Sequence, residues 1–408
     1  MADDGTGTDF LDWDALKDVQ GPLAVAVSGG GDSVALLHLL HGLGRFDLRV
    51  VTVDHQLRKE SMAEAAGVRL MAHDLGLPHV TLMWETPPKR AIQDAARRAR
   101  RQLISEWAAE TGITHVALGH TADDQAETFL LRLARGSGVE GLSAMDTVIA
   151  DRGLFWVRPM LHTRRAALRD YLTGKGVDWV DDPSNEDAKF DRIKMRQAVG
   201  ALADAGISVP KIAKTTKRLR SARAVLFTAT RDLARAAARL GPTGEIRIDA
   251  ARLSGAQETM QLRLLSEAIR FVAGSYYAPR AHAVTEILAG LKAGQFPGAS
   301  LGGCLLRQDG TDLVIRREPG RTGGAAGIGA LWDERWMVKG PEDPGLRVDA
   351  LGAGISACPD WRETGHDRES LLTTPAVWRG DTVISAPLAG LEAGFHAEFC
   401  PRNPFFTP

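Results

Sequence analysis

The chain has 408 residues, 44% hydrophobic and 25% charged, with a formal net charge of -1 at pH 7. That length allows two or three domains with cores of their own, and the composition excludes disordered, fibrous and collagen-like classes. The near-neutral total hides an asymmetry, because residues 189–235 hold 12 Lys/Arg against 3 Asp/Glu and residues 331–408 hold 7 against 12. A basic stretch of that kind suits a polyanion. Cys304, Cys358 and Cys400 lie far apart with no C-x-x-C pair, which argues against a disulfide framework or thiolate metal site and fits a reducing compartment. The opening Met-Ala-Asp-Asp lacks a basic segment and apolar core, and no apolar run reaches the ~18 residues of a membrane span. A cytoplasmic location without a membrane partner is expected.

Residues 1–20 read as a short helical lead-in. Residues 23–27 are apolar and read as a buried parallel strand, followed by Ser28-Gly29-Gly30-Gly31-Asp32-Ser33 and a helix through Leu40. Further strands are expected at 49–53, 79–83, 115–118 and 154–157, with helices at 61–75 and 92–109 and from the 119–128 stretch to Leu133. This alternation predicts an α/β fold with a doubly wound, five-stranded parallel sheet. A helix at 163–174 follows, then a loop at 181–185. A long Ala/Arg-rich helix spans 211–240, a short strand 245–248, and helices 258–272 and 280–292. A hairpin turns around Asp309-Gly310. Residues 319–330 read as a glycine-rich linker, and short strands beyond it as a small, mostly β region. The resulting division is a catalytic α/β domain over 1–200, a mainly helical domain over 201–318, and a small C-terminal domain over 331–408. No internal repeat is present.

A strand that stops in glycines at the start of a helix builds an anion site, because the backbone can approach the ligand and the first helical N–H groups point at it. Ser28 and Ser33 add hydroxyl donors, and Asp32 can hold a metal bridging phosphates. The G-x-x-x-x-G-K-[ST] and G-x-G-x-x-G spacings are both missing, so neither a Walker loop nor a dinucleotide fingerprint fits. In a doubly wound sheet, ligands sit beyond the carboxyl ends of the strands, and polar clusters follow strands one, two and four at that edge. Asp54 and His55 follow strand two, where a ribose or adenine can be contacted; the plainer reading is a capping Asp beside an incidental His. After strand four come His120, Asp123, Asp124 and Glu127. One carboxylate there could simply cap a helix, but two adjacent ones with a Glu behind them suit a divalent cation or a substrate ammonium. Arg97 and Arg100 share a helical face that is either solvated or phosphate-binding. Lys214, Lys217, Arg218 and Arg220 repeat along a helix in the basic stretch, as a polyanion site requires and a solvated face also allows.

The Ser28–Ser33 loop resembles that of the N-type ATP pyrophosphatases, which split ATP into AMP and pyrophosphate. With residues 53–58, the Arg97/Arg100 helix, residues 120–142, Arg158-Pro159-Met160-Leu161, residues 179–185 and Phe190-Asp191-Arg192, the chain is similar to the tRNA(Ile)-lysidine synthetase family. The similarity is dense over about residues 20–200. It implies ATP-dependent activation of the C2 carbonyl of the wobble cytidine in a tRNA(Ile) with a CAU anticodon. The amine of free L-lysine would then displace AMP to give lysidine. By the same resemblance Ser28, Gly29, Gly30, Gly31, Asp32 and Ser33 bind the ATP pyrophosphate, Asp32 helps to hold Mg²⁺, and Asp54, His55 and His120 line the nucleotide site. Asp124 and Arg97 position lysine and the activated base, with Arg100, Asp123 and Glu127 nearby. Three positions depart from the family pattern: Arg101 replaces a usual aromatic, Ala91 a common glycine, and Ile193 an asparagine. The competing readings are a tRNA thiolase or amide-forming synthetase with the same loop, and a non-catalytic nucleotide-gated RNA-binding module. The sequence leaves the oligomeric state open, a homodimer included.

Overall fold

The computed structural model describes residues 8–57, 60–85, 92–180, 191–275, 277–401 and 404–406. The chain packs as two compact units, residues 1–223 and 224–408.

In the first unit the elements are β1 (Pro22–Ala26), α1 (Gly31–Gly42), β2 (Asp47–Asp54), α2 (Ser61–Asp74), β3 (His79–Met83), α3 (Ile92–Thr111), β4 (His115–Leu118), α4 (Ala122–Leu133), α5 (Val139–Leu142), β5 (Val148–Asp151), β6 (Leu154–Val157), α6 (Arg165–Gly174), α7 (Asp191–Asp204) and the start of α8 (Val209–Ala237). The sheet order is β3-β2-β1-β4-β6-β5. Five strands are parallel, as the alternation predicts. A sixth, β5, joins antiparallel to β6, an edge the sequence reading lacks. Period-2 alternation along β1 divides the core. Leu23 and Val25 pack with α1, α2 and α6 on one face, and Ala24 packs with Ile104 and Ala108 of α3 on the other. Helix α1 is buried at Ser33 through Leu37 and again at Leu39 and Leu40, which fits its place beneath a second helix layer rather than at a surface. The lead-in is two short 3-10 turns, at Thr8–Phe10 and Trp13–Ala15. It is pinned by the Asp12 N–H donating to Pro159 O at 2.7 Å and Thr163 Oγ1 to Phe10 O at 2.7 Å.

The division between the two compact units falls inside α8. The second unit holds β7 (Ala238–Leu240), β8 (Ile246–Asp249), α9 (Ala250–Ser254), α10 (Glu258–Val272), α11 (Ala281–Lys292), β9 (Ala299–Leu301), β10 (Cys304–Asp309) and β11 (Asp312–Arg317). The region is mainly helical, but it also builds a five-stranded antiparallel sheet, β7-β8-β11-β10-β9. The hairpin loop is Gly310-Thr311, because Asp309 pairs with Asp312; it lies one residue beyond the expected turn. Two three-stranded sheets follow. The glycine-rich stretch 319–330 is tied down: the Gly323 N–H donates to Asp333 Oδ1 at 2.8 Å and Ala326 bridges to Val348. Asp333 is buried between Arg317 and Arg335, at 2.9 and 2.8 Å, so this segment is part of the fold rather than a free linker. Among the described residues no helix is long and apolar enough to cross a membrane.

Candidate active site

The chain runs outward from β1 through β2 to β3 and then returns to place β4 on the other side of β1. The carboxyl ends of β1 and β4 therefore flank the switch point of the sheet, where a crevice opens between diverging connections. Ser28–Ser33 leaves β1 at this point and Gly119-His120 leaves β4. Gly29 adopts φ +86°, which a side chain would strain. Gly30 has no side chain to cap α1; the Ser33 N–H turns back to Gly30 O at 3.0 Å, and no side chain offsets the positive end of the helix dipole at the cap. Ser33 Oγ donates to Gly30 O at 2.9 Å and accepts from the Ser28 N–H at 3.2 Å. The loop is thus preshaped by its own serine. Residues of the 179–185 stretch support it from outside: Trp179 packs on Gly31, and the Val180 N–H donates to Gly29 O at 2.9 Å. Residues 181–185 lie outside the described residues.

Helix α4 begins with a capping box. Thr121 Oγ1 accepts from the Asp124 N–H, and Asp124 Oδ2 accepts from the Thr121 N–H at 2.9 Å. Asp124 Oδ1 faces the Arg165 Nη2 at 3.2 Å. The same guanidinium donates through Nε to Asp32 Oδ2 at 2.8 Å and lies 3.6 Å from Glu127 Oε1. Glu127 also accepts from Arg196 Nε at 3.0 Å. Asp124 and Glu127 are buried, 8% and 2% exposed. The loop aspartate and the α4 carboxylates are therefore joined through one side chain. Burial pushes the Asp32 carboxyl above its ordinary value, although Arg165 pulls the other way. Burial also opposes the Arg165 charge, but Asp124, Asp32 and Glu127 outweigh it and raise its pKa.

The remaining expected residues divide. Asp123 is turned onto α6, accepting from the Arg165 N–H at 2.8 Å and from Arg164 Nε at 3.2 Å. Asp54 is buried at the end of β2, with Oδ1 accepting from the Gln56 N–H at 2.8 Å. His55 stands edge-on to Trp84 at 5.7 Å; burial first, and the Arg100 charge second, lower its pKa. His120 is half-buried directly after β4. Arg97 is on the exposed side of α3. Arg101 pairs with Asp151 at 3.2 Å and its guanidinium lies over Trp156, so it braces the β5–β6 edge. Arg58 and Ala91 lie outside the described residues, as do the side chains of Arg192 and Ile193. The sequence reading missed Arg164, Arg165 and Arg196. One signal was available for Arg165: a cation opening a helix runs against the helix dipole and needs a compensating anion.

Residues 12–202 match the PP-loop domain family. With the glycine-rich loop at the switch point, this makes the first unit a PP-loop ATP-binding domain. The chain is 44% identical over 386 residues to a tRNA(Ile)-lysidine synthase of Ruegeria pomeroyi, covering 92% of this chain and 90% of the relative. It is 39% identical over 316 residues to that of Methylobacterium nodulans, covering 74% and 92%. The chain belongs to the tRNA(Ile)-lysidine synthase family. A solved structure of a U34-tRNA thiolase from Methanococcus maripaludis is a distant neighbour, at 14% identity and TM-score 0.43 over 53% of this chain and 74% of that one. That likeness is too slight to carry an argument.

Proposed function

We propose that this chain ligates free lysine to C2 of the wobble cytidine of a tRNA(Ile) with a CAU anticodon, at the crevice between β1 and β4. The observation that carries the reading is the Arg165 bridge, which brings the ATP loop and the α4 carboxylates within one side chain's reach. ATP lies with its phosphates on Ser28–Ser33 and the α1 N-terminus, its adenosine toward Asp54 and His55, and His120 beside it. The cytidine O2 attacks the α-phosphorus, pyrophosphate leaves, and the C2–O bond is thereby activated. The lysine ammonium first gives up a proton to a base, the neutral amine attacks C2, and AMP departs with the oxygen. Asp124 and Glu127 hold the lysine in place through its ammonium groups. Arg97 and Arg100 steer the activated base and its phosphate, and Asp123 fixes the start of α6.

A divalent cation fits this site in one way. Among the described residues there is no cluster of three or more metal-ligating side chains, so Mg²⁺ would be held by Asp32 together with the phosphates rather than in a protein cage. There it would neutralise charge on the departing pyrophosphate. Exposed Lys214, Lys217 and Arg218 on α8 contact the tRNA backbone, and residues 201–318 serve tRNA binding. Arg220, by contrast, donates to Met145 O at 3.0 Å and belongs to the fold. The three cysteines are free and all come after residue 300, outside the PP-loop match at residues 12–202, which disfavours a thiolase and suits a reducing, cytoplasmic setting. Incubation with ATP, lysine and the CAU-bearing tRNA tests the proposal through lysine-dependent AMP release, which Asp32→Ala and Asp124→Ala should abolish. Sulfur incorporation, or tRNA binding without turnover, would replace it with one of its rivals.

A further inference from the structure

We propose that Arg165 is a positioning residue of this site, fixing the nucleotide-side carboxylate Asp32 and the amine-side carboxylates Asp124 and Glu127 at the separation the reaction uses. The inference rests on the function proposed above. Arg165 is the first residue of α6, whose first turn contains no acid. A guanidinium there opposes the helix dipole by about 0.3–1 kcal/mol, so helix formation alone does not account for the residue. Instead the surroundings hold it at both ends. Its backbone N–H is captured by Asp123 at 2.8 Å, and its side chain meets Asp32, Asp124 and Glu127 at 2.8, 3.2 and 3.6 Å. Reaching three carboxylates from two elements requires a planar fork with several donors; a lysine ammonium is a point charge and cannot span them.

The charges set what else the cluster can accept. Asp32, Asp124 and Glu127 are held by Arg165 and Arg196, and the Arg169 charge also acts on Asp32, so an incoming cation competes with guanidinium groups already in place. Without Arg165 the three carboxylates would repel one another in a half-dry crevice and relax apart. Substrate would then meet misplaced anions, and a misplacement of about 1 Å costs on the order of 10²-fold in rate.

The test uses the full chain and lysine-dependent AMP release with saturating ATP and tRNA. Lysine-dependent kcat/KM should fall about 10²-fold in Arg165→Ala and remain low in Arg165→Lys. Millimolar guanidinium, far below denaturing levels, should restore activity to Arg165→Ala but not to Asp124→Ala. Thermal melting confirms folding, and Arg165→Gln replaces the alanine variant if the latter does not fold. Full activity in a folded variant overturns the proposal. So does lost activity that guanidinium leaves unrestored, since that would make Arg165 a structural support only. If the wild-type chain itself releases no AMP on lysine addition, the proposed function fails instead, independently of Arg165.

Discussion

Gly119 offers a direct test of whether the two sides of the crevice must touch. It follows β4, and a Cβ placed on it would lie 2.9 Å from both Asp32 O and Ser33 Cα. These are backbone atoms of the first turn of α1, not the ends of flexible side chains. Neither partner can swing away, so Gly119→Ala must push β4 and the nucleotide loop apart by several tenths of an ångström. Overpacking of this kind costs roughly 1–3 kcal/mol, with rigid backbone on both sides placing it toward the upper end. In a unit of this size each kcal/mol is worth about 2–4 °C. Thermal denaturation of Gly119→Ala should therefore show a Tm lower by several degrees, with ATP binding weakened beyond what stability explains because Asp32 and Ser33 have moved. A Gly119→Ala protein with wild-type Tm and wild-type ATP affinity would refute the claim that this contact sets the loop.

The other predictions concern charge. His38, His55, His79 and His115 all have pKa values lowered, with burial the largest cause in each. The unfolded chain therefore binds more protons than the native one below the ordinary histidine pKa of about 6.5, so stability falls as pH drops through that value and recovers above it. Melting at pH 7.5 and 5.5 should show the loss, and imidazole NMR titrations with midpoints above 6.5 would contradict it. Reversing charge with Lys214→Glu and Lys217→Glu should weaken tRNA binding and reduce its salt dependence, while unchanged affinity would make this a solvated face. Arg220→Met should instead lower the Tm, since it removes one of two donors to Met145 O, the other being Gln125 Nε2, at a cost of about 0.5–1.5 kcal/mol; an unchanged Tm would refute that structural role. Asp124→Asn keeps an oxygen for the α4 cap where Asp124→Ala loses it, so melting should separate the two variants by about 1 kcal/mol while AMP release is lost in both. An active Asp124→Asn would show that the charge is not needed.

Much of the first unit was legible. Strands β3, β4 and β6 match the sequence expectation to the residue because each run is short and bounded by turn residues, and helix α10 matches because its apolar residues recur at helical spacing. Strand β5 was not legible. It is half exposed, and its connection to β6 is the pair Arg152-Gly153, both at positive φ; arginine at the first position hides the Asn-Gly or Asp-Gly signal of such a hairpin. The 319–330 stretch misled in the opposite direction, since its glycines suggest freedom while Asp333 and Val348 hold it. In the site, the loop and the acidic edge could be placed from strand order alone. Their connection could not, because Asp32 and Arg165 stand 133 positions apart and no local pattern announces such a pair.

The adjacent pair Asp123-Asp124 shows why the bland and the functional readings of a helix-capping acid need not compete. Successive residues of a first turn point about 100° apart, so two neighbours cannot serve one ligand equally. Asp123 faces sideways and supplies α6 with the acceptor that its own sequence lacks. Asp124 faces along the crevice and divides its two oxygens, one capping α4 and one toward Arg165. On the proposed function, capping is the device that orients the substrate-facing carboxylate: the Thr121 bonds hold the Asp124 rotamer. Glu127, three residues on, falls on the same helical edge and completes the set. One short sequence thus fixes the end of its own helix, the start of a second, and the anion that faces the nucleotide loop.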